Sequence, residues 1–291
     1  MKSAAFEYAR ATSLAEICER LREDGDDTKL IAGGQSLVPM MAMRLTRPAR
    51  LIDINEIAAL KFVSIEKDVV RTGACTRQCV VAGDEALAKA VPLLRQALAW
   101  VGHIQTRNRG TVGGSLAHAD PAAELPLAAQ VLGAQMVLRA HAGTRTINAA
   151  DFFEGPLATV TRADECLEEI RWPLWPEKRT GSAFTEVSRR HGDFALVAAA
   201  AQVALDADDR CTRAAFGLAG GGSIPMAFTK LAAQLVGTQL DDAAIESVAH
   251  DAATELDPGG DLHASPGYRK QLAAVLAARM LRAARDEART R

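Results

Sequence analysis

Two short segments hold the residue types that binding an anionic ligand requires. Ile31-Ala32-Gly33-Gly34-Gln35-Ser36-Leu37 and Arg109-Gly110-Thr111-Val112-Gly113-Gly114-Ser115 each set two adjacent glycines beside hydroxyl residues. Adjacent glycines let the backbone reach positive φ and turn successive N–H groups inward, forming a nest that holds a phosphate. Ser36, Thr111 and Ser115 add hydroxyl donors, so no lysine is required. A pyrophosphate carries two anionic groups, and two nests suit it. The plainer alternative is that each glycine pair is a tight turn between elements. Read this far, the residues point to a phosphate-bearing cofactor.

Other chemistries lack their signatures. The sequence has no G-x-x-x-x-G-K-[ST] loop, no G-x-G-x-x-G after a strand, no H-E-x-x-H, no C-x-x-C and no G-x-S-x-G. The five cysteines are an odd, scattered set, not a disulfide framework, and Cys75-x-x-x-Cys79 reads as two semi-buried thiols rather than a metal site. No metal ligands and no catalytic acid or base emerge. His103 and His118 flank the second loop and read as structural hydrogen bonders, and Asp120 before Pro121 reads as a turn residue. The arginine-rich end, Arg279–Arg291, reads as a solvated helix face, with a docking surface as the sharper alternative.

The elements that must position these loops are visible in the apolar pattern. A strand is expected near Phe6–Tyr8, then a helix with Ser13 and Glu16 as a capping box and Leu14, Ile17, Cys18 and Leu21 on its buried face. Leu30–Ile31 is a strand running into Gly33, and a short helix covers Leu37–Arg44. Strands follow at Arg50–Ile54, Lys61–Ile65 and Asp68–Gly73, and a helix at Pro92–Val101. The segment Arg109–Ser115 reads as a glycine-rich loop. A helix at Pro126–Leu132 precedes a hairpin formed by Gln135–Ala140 and Thr144–Ile147, and Cys166–Trp172 alternates as a strand. Pro173–Thr180, with two prolines and a charge cluster, marks a domain boundary. Beyond it, strands at Ser182–Ser188, Leu196–Leu205 and Cys211–Ala219 precede helices at Ala227–Leu235, Asp241–Leu256 and Tyr268–Arg285, an α+β order.

Composition bounds the function. At 291 residues the chain is long enough for two domains, and its 34 basic against 36 acidic residues leave a net charge of −2, which argues against a nucleic-acid partner. Aromatics at 4% are too few for base-stacking platforms. No apolar run spans a bilayer, and no signal-peptide core is visible at the start, so a cytoplasmic location is expected.

Four stretches carry a family resemblance: Lys29–Leu45 (KLIAGGQSLVPMMAMRL), His103–Pro126 (HIQTRNRGTVGGSLAHADPAAELP), Ser182–Ala195 (SAFTEVSRRHGDFA) and Asp257–Leu281. The chain resembles the FAD-binding medium subunit of molybdenum hydroxylases of the carbon monoxide dehydrogenase type, to which the flavin domain of xanthine dehydrogenase is related. The resemblance implies a vanillyl-alcohol-oxidase-type fold. Two α/β subdomains, about 1–57 and 58–175, would hold FAD within residues 1–175, and 176–291 would form a C-terminal α+β domain with a small antiparallel sheet and helices.

The resemblance also implies roles by position. Ala32 to Leu37, entered through Ile31, match one pyrophosphate loop, and Thr111 to Ser115 match the other. Glu124 stands where the family usually has aspartate at the polyol or phosphate region. Val101 and Leu167 match positions flanking the adenine. Thr185 replaces a lysine of some relatives. Phe194 replaces a tyrosine beside the isoalloxazine ring, with a core position as the alternative. FAD would be the only redox cofactor in the chain. A large molybdenum-cofactor subunit and a small subunit with two [2Fe–2S] clusters would be its partners, in a dimer of heterotrimers, with an external electron acceptor. A free-standing FAD-dependent oxidoreductase and a non-enzymatic nucleotide-binding protein are the other readings. The oxidised substrate belongs to the large subunit and is not written in this chain.

Overall fold

The computed structural model describes residues 2–291. A parallel sheet comes first, in the order β1-β3-β2: β1 is Glu7–Arg10, β2 Thr28–Ile31 and β3 Arg50–Asp53. Helix α1 (Leu14–Asp24) crosses between β1 and β2, and α2 (Leu37–Ala42) between β2 and β3. The Ser13 hydroxyl caps α1 by accepting the Glu16 N–H at 3.2 Å, as the sequence indicates. The reciprocal bond of a capping box is displaced: Glu16 accepts from the Thr12 N–H at 2.8 Å, not from Ser13. Ile17, Cys18 and Leu21 are buried, with Leu14 packed against the same cluster.

The second sheet has the order β4-β5-β10-β6-β7 and is antiparallel. It comprises β4 (Val63–Ile65), β5 (Val69–Gly73), β6 (Gln135–Ala140), β7 (Gly143–Asn148) and, at its centre, β10 (Cys166–Pro173). Between β5 and β6 lie six short helices: α3 (Gln78–Gly83), α4 (Glu85–Ala90), α5 (Pro92–Leu98), α6 (Ile104–Arg109), α7 (Val112–His118) and α8 (Glu124–Leu132). After β7 come the one-turn α9 (Ala149–Phe152) and a small pair, β8 (Phe153–Gly155) and β9 (Ala158–Thr159). The sequence pattern showed only α5 and α8 of these helices. The seven-residue α5 is marked by Pro92 in its first turn, whereas α3, α4, α6 and α7, equally short, start without such a signal.

The remaining chain builds an antiparallel sheet, β11-β12-β13-β14, covered on one face by helices. Its strands are β11 (Thr180–Val187), β12 (Val197–Leu205), β13 (Cys211–Ala219) and the two-residue β14 (Met226–Ala227). The helices are α10 (Thr229–Gln234), α11 (Asp242–Glu255) and the 25-residue α12 (Pro266–Thr290), which Ser265 caps. The architecture is thus α+β, with a C-terminal antiparallel sheet and helices as expected.

Strand β12 is buried along its whole length because both its faces are covered. Ala198 and Ala200 belong to the core built by α5, α7, α8 and the five-stranded sheet. Val197, Ala199, Ala201 and Val203 belong to the core under α11 and α12. Alanine on the inner strand lets the helices approach from either side. No helix among the described residues is long and apolar enough to cross a membrane.

Candidate functional site

The first glycine segment leaves β2 at Ile31 and enters α2 at Leu37. Gly34 lies at φ +70°, a conformation that L side chains rarely adopt. No described hydrogen bond within the chain uses the N–H groups of Gly33, Gly34, Gln35 or Ser36. Four consecutive donors are therefore available to an anion, as the nest reading requires.

A polar latch fixes this loop. Asn55, just past β3, donates through Nδ2 to the Ala32 carbonyl at 2.7 Å, and its Oδ1 accepts from Arg77 at 2.7 Å. Arg77 also donates to the Arg109 carbonyl. Asp53 accepts from the Tyr8 hydroxyl at 2.5 Å and from the Asn55 N–H at 2.8 Å. Burial pushes the Asp53 carboxyl upward, but the bonds from Tyr8 and Asn55 outweigh it and hold the group below its ordinary pKa. Tyr8, Asp53, Asn55 and Arg109 line one cleft of about 460 Å³ with residues 31–35. Tyr8, Asp53 and Asn55 carried no motif in the sequence. Their only signal is position, at β-strands beside a glycine turn.

The second glycine segment differs from the expected loop. Thr111 is a helix N-cap, and Val112–His118 is helical. Neither Gly113 nor Gly114 has positive φ. The donors of the supposed nest are spent: Val112 N–H on the Thr76 carbonyl at 3.0 Å, Gly113 N–H on Ala74 at 2.9 Å and Gly114 N–H on Thr111 Oγ1 at 3.0 Å. Gly113 is glycine because a Cβ there would stand 2.5 Å from the Ala74 Cβ. What this segment presents to a ligand is hydroxyl: no described bond uses the half-buried side chain of Ser115.

Helix α6 links the two glycine segments to the loop after β11. At its C-terminal end, Arg109 and Gly110 abut Gly33. At its N-terminal end, the His103 ring lies against Gly192, where a Cβ would meet it at 2.7 Å. His191 stands edge-on to Trp100 and His103, with ring centroids 6.0 and 6.3 Å apart. Phe194, in the same loop, is 70% exposed, which excludes its reading as a core residue and leaves its ring face open. Val101 and Leu167 are buried at 8% in the larger core, so only a thin edge of each is offered to a ligand.

Strand periodicity sorts the remaining positions. Ala183 and Val187 pack in the C-terminal core under α12, and Thr185 shares their side of β11. Phe184 packs in the other core, and Glu186 shares its side, within reach of the charge of Glu124 at the start of α8. The residue that β11 turns toward the cofactor-binding half is thus Glu186, one position from the residue singled out in the sequence. Strict alternation along Ser182–Ser188 was the signal that could have found it.

Glu186 is 5% exposed, and neither of its carboxylate oxygens has a hydrogen-bond partner. Burial first, and then the Glu124 charge, push its pKa up to about 8. Burial likewise pushes Glu124 up to about 7, its own backbone N–H and Arg107 opposing and Asp120 adding to the rise.

These features fit FAD: a cleft lined by residues 31–35, available N–H and hydroxyl donors for its pyrophosphate, and an exposed aromatic ring. Comparison with known proteins agrees. Residues 4–175 match the family described as FAD binding domain in molybdopterin dehydrogenase, and residues 182–284 match the CO dehydrogenase flavoprotein C-terminal domain. The beta subunit of caffeine dehydrogenase from a Pseudomonas strain is 39% identical over 98% of this chain and 97% of its own length. Among solved structures, quinoline 2-oxidoreductase from Pseudomonas putida superposes with TM-score 0.93 at 36% identity, covering 99% of both chains. CO dehydrogenase from Oligotropha carboxidovorans gives TM-score 0.96 at 32% identity, over 99% of this chain and 100% of that one. The chain belongs to the family of FAD-binding medium subunits of molybdenum hydroxylases, of the carbon monoxide dehydrogenase type.

Proposed function

We propose that this flavoprotein subunit holds the FAD pyrophosphate on the N–H groups of Gly33 to Ser36, with hydroxyl donation from Ser115, while Thr111 caps the helix that carries Ser115. The observation that carries this assignment is the run of four unspent backbone donors beside Arg109. Ile31 and Leu37 bound that loop. Val112 and Gly113 support the second segment through bonds to Thr76 and Ala74, and Gly114 through its bond to Thr111, rather than by offering donors. Val101 and Leu167 flank the adenine, Glu124 lies at the polyol, and Phe194 covers the ring. Thr185 makes no contact in this reading.

FAD when bound accepts electrons singly and releases them in pairs, which suits a carrier between iron–sulfur clusters and a two-electron acceptor. The chain's own part is to bind the cofactor, orient it through α6 and the loop at residues 188–194, and exclude water from the buried side. The relatives are subunits of multi-subunit dehydrogenases. On that basis a large molybdenum-cofactor subunit and a small [2Fe–2S] subunit are its partners, in a dimer of heterotrimers that passes electrons to an external acceptor. A cytoplasmic location belongs to the same reading and is supported by five free thiols, four of them buried.

The test is to isolate the native complex through this chain and record its spectrum and metal content. Flavin with iron–sulfur absorbance, molybdenum and two further subunits is the expected result. A lone yellow chain reduced directly by a small organic substrate would overturn it.

A further inference from the structure

The two glycine segments belong to different halves of the cofactor-binding region. The first joins strands of the three-stranded parallel sheet, within residues 2–57, and the second lies among the helices that follow β5. No sheet crosses between residues 2–57 and 58–175, and beyond the turn from Ile57 to Leu60 no described backbone hydrogen bond does. Apolar contacts join the halves, with Ile17, Ile54, Leu60 and Cys75 in one cluster. Such contacts are non-directional and fix a spacing only loosely. We propose that Arg77, acting through Asn55, sets the spacing of the two glycine segments and thereby how firmly the chain keeps FAD. Both are positioning residues. The proposal rests on the reading that the first segment holds the FAD pyrophosphate.

Arg77 stands at the start of α3, in the second half. Its Nη2 donates to Asn55 Oδ1 at 2.7 Å, in the first half, and its Nη1 donates to the Arg109 carbonyl, in the second. A guanidinium is planar and its nitrogens are a fixed distance apart, so one bond to each half sets the gap between them. The base of the side chain is anchored as well. The Arg77 backbone forms a β-bridge with Thr111, and the Gln78 N–H donates to the Gly110 carbonyl at 2.9 Å. Arg77 therefore moves with the second segment and reaches the first only through Asn55.

The Asn55 amide is committed at both ends. Its Nδ2 donates to the Ala32 carbonyl and to Asp53 Oδ1, each at 2.7 Å, while its Oδ1 accepts from Arg77. Asp53 is held in turn by the Tyr8 hydroxyl at 2.5 Å. In a trans peptide the C=O and the following N–H point in opposite directions. Drawing the Ala32 carbonyl to Asn55 thus turns the Gly33 N–H away from it, as the first of the four unspent donors. The other described polar links between the halves are thiol contacts of 3.8 Å, from Cys18 to Arg139 and from Cys75 to Ile54, and the exposed pair His141–Glu19. None of these residues lines the cleft, whereas Asn55 and Arg109 do.

The test uses the native complex. FAD fluorescence in the protein-free filtrate of a dilution series gives Kd for wild type, Asn55→Ala, Arg77→Met, the double variant and Arg77→Lys. Each of the first two single changes is expected to raise Kd about tenfold, the worth of one charge-assisted hydrogen bond. The double variant should bind no more than about threefold more weakly than the poorer single, because both changes remove one joint. Arg77→Lys keeps the charge but not the fork, and is expected to raise Kd about fivefold or more. It also serves if Arg77→Met fails to assemble. Single variants within about twofold of wild type, or effects that multiply in the double variant, would overturn the proposal. So would an Arg77→Lys complex that binds like wild type, which would assign the effect to charge rather than spacing. Gly33→Ala separates the two readings. If it weakens binding and the Asn55 and Arg77 variants do not, the positioning role falls and the loop assignment stands. If none of them changes Kd, the loop assignment falls as well.

Discussion

Gly33 lies so close to Arg109 that a Cβ on the glycine would stand 2.4 Å from the arginine's carbonyl oxygen. This contact joins the two glycine segments and leaves no room for a side chain between them. Gly33→Ala must push the first loop away from α6, and the loop carries the four unspent N–H donors. The expected outcome is a folded chain with flavin content reduced at least tenfold, read from the ratio of flavin to protein absorbance. Full flavin occupancy in this variant would show that the cradle is not where the cofactor rests.

Thr111 and Ser115 look alike in sequence but do different work. Thr111 Oγ1 caps α7 by accepting the Gly114 N–H, whereas no described bond engages Ser115 Oγ. Thr111→Val is expected to cost about 1 kcal/mol of stability, as loss of a helix cap does. Ser115→Ala should leave the FAD-free thermal midpoint unchanged and weaken FAD binding by about fivefold, the worth of one hydrogen bond. Thermal melts and FAD titrations on both variants check the division.

Trp172 is fully buried at the centre of the second sheet, and its indole N–H reaches Thr72 Oγ1 at 3.0 Å on the neighbouring strand. Thr72→Val keeps the shape and strands that N–H. A loss of about 1–3 kcal/mol in urea unfolding is expected. Thr72→Ser, which restores the acceptor, should recover part of it.

Glu186 makes the FAD-free chain's stability depend on pH. An ordinary glutamate releases its proton near pH 4.5, but burial raises the folded-state value to about 8. Between these values the native chain holds a proton that the unfolded chain has lost, so stability falls as pH rises through the window. Glu186→Gln removes this slope. It should match the wild type near pH 4.5 and exceed it by about 2–4 kcal/mol at pH 8. Denaturation curves at the two pH values provide the check, and equal stability of the two proteins at pH 8 would refute it.

Long elements announce themselves by repetition, whereas short ones such as α2 and α5 were legible only through a neighbouring glycine turn or a leading proline. β13 falls at Cys211–Ala219 as read, and α11 within a residue or two, because nine to fourteen residues repeat their pattern several times. α3, α4, α6 and α7 span less than two turns and depend on caps and neighbours for their stability. The first glycine segment was legible because glycine at positive φ leaves a mark in the sequence. The second misled because Gly113 serves helix-to-strand packing against Ala74, a tertiary demand with the same one-letter signature. The latch through Asn55 and Arg77 joins residues 22 apart, and neither residue type announces its partner.

Strand β12 gives the two cores one shared wall, a single backbone thick. Ala198 and Ala200 look one way, and Ala199 and Ala201 the other. The consequence concerns how this protein can drift over generations. A larger residue on either side shifts the wall itself, so the gain is felt by packing that the new side chain never touches. Substitutions beneath α12 and those beneath α8 must then be compensated together, and a C-terminal half taken from a distant relative would fit only if it brought its own version of this strand's neighbours.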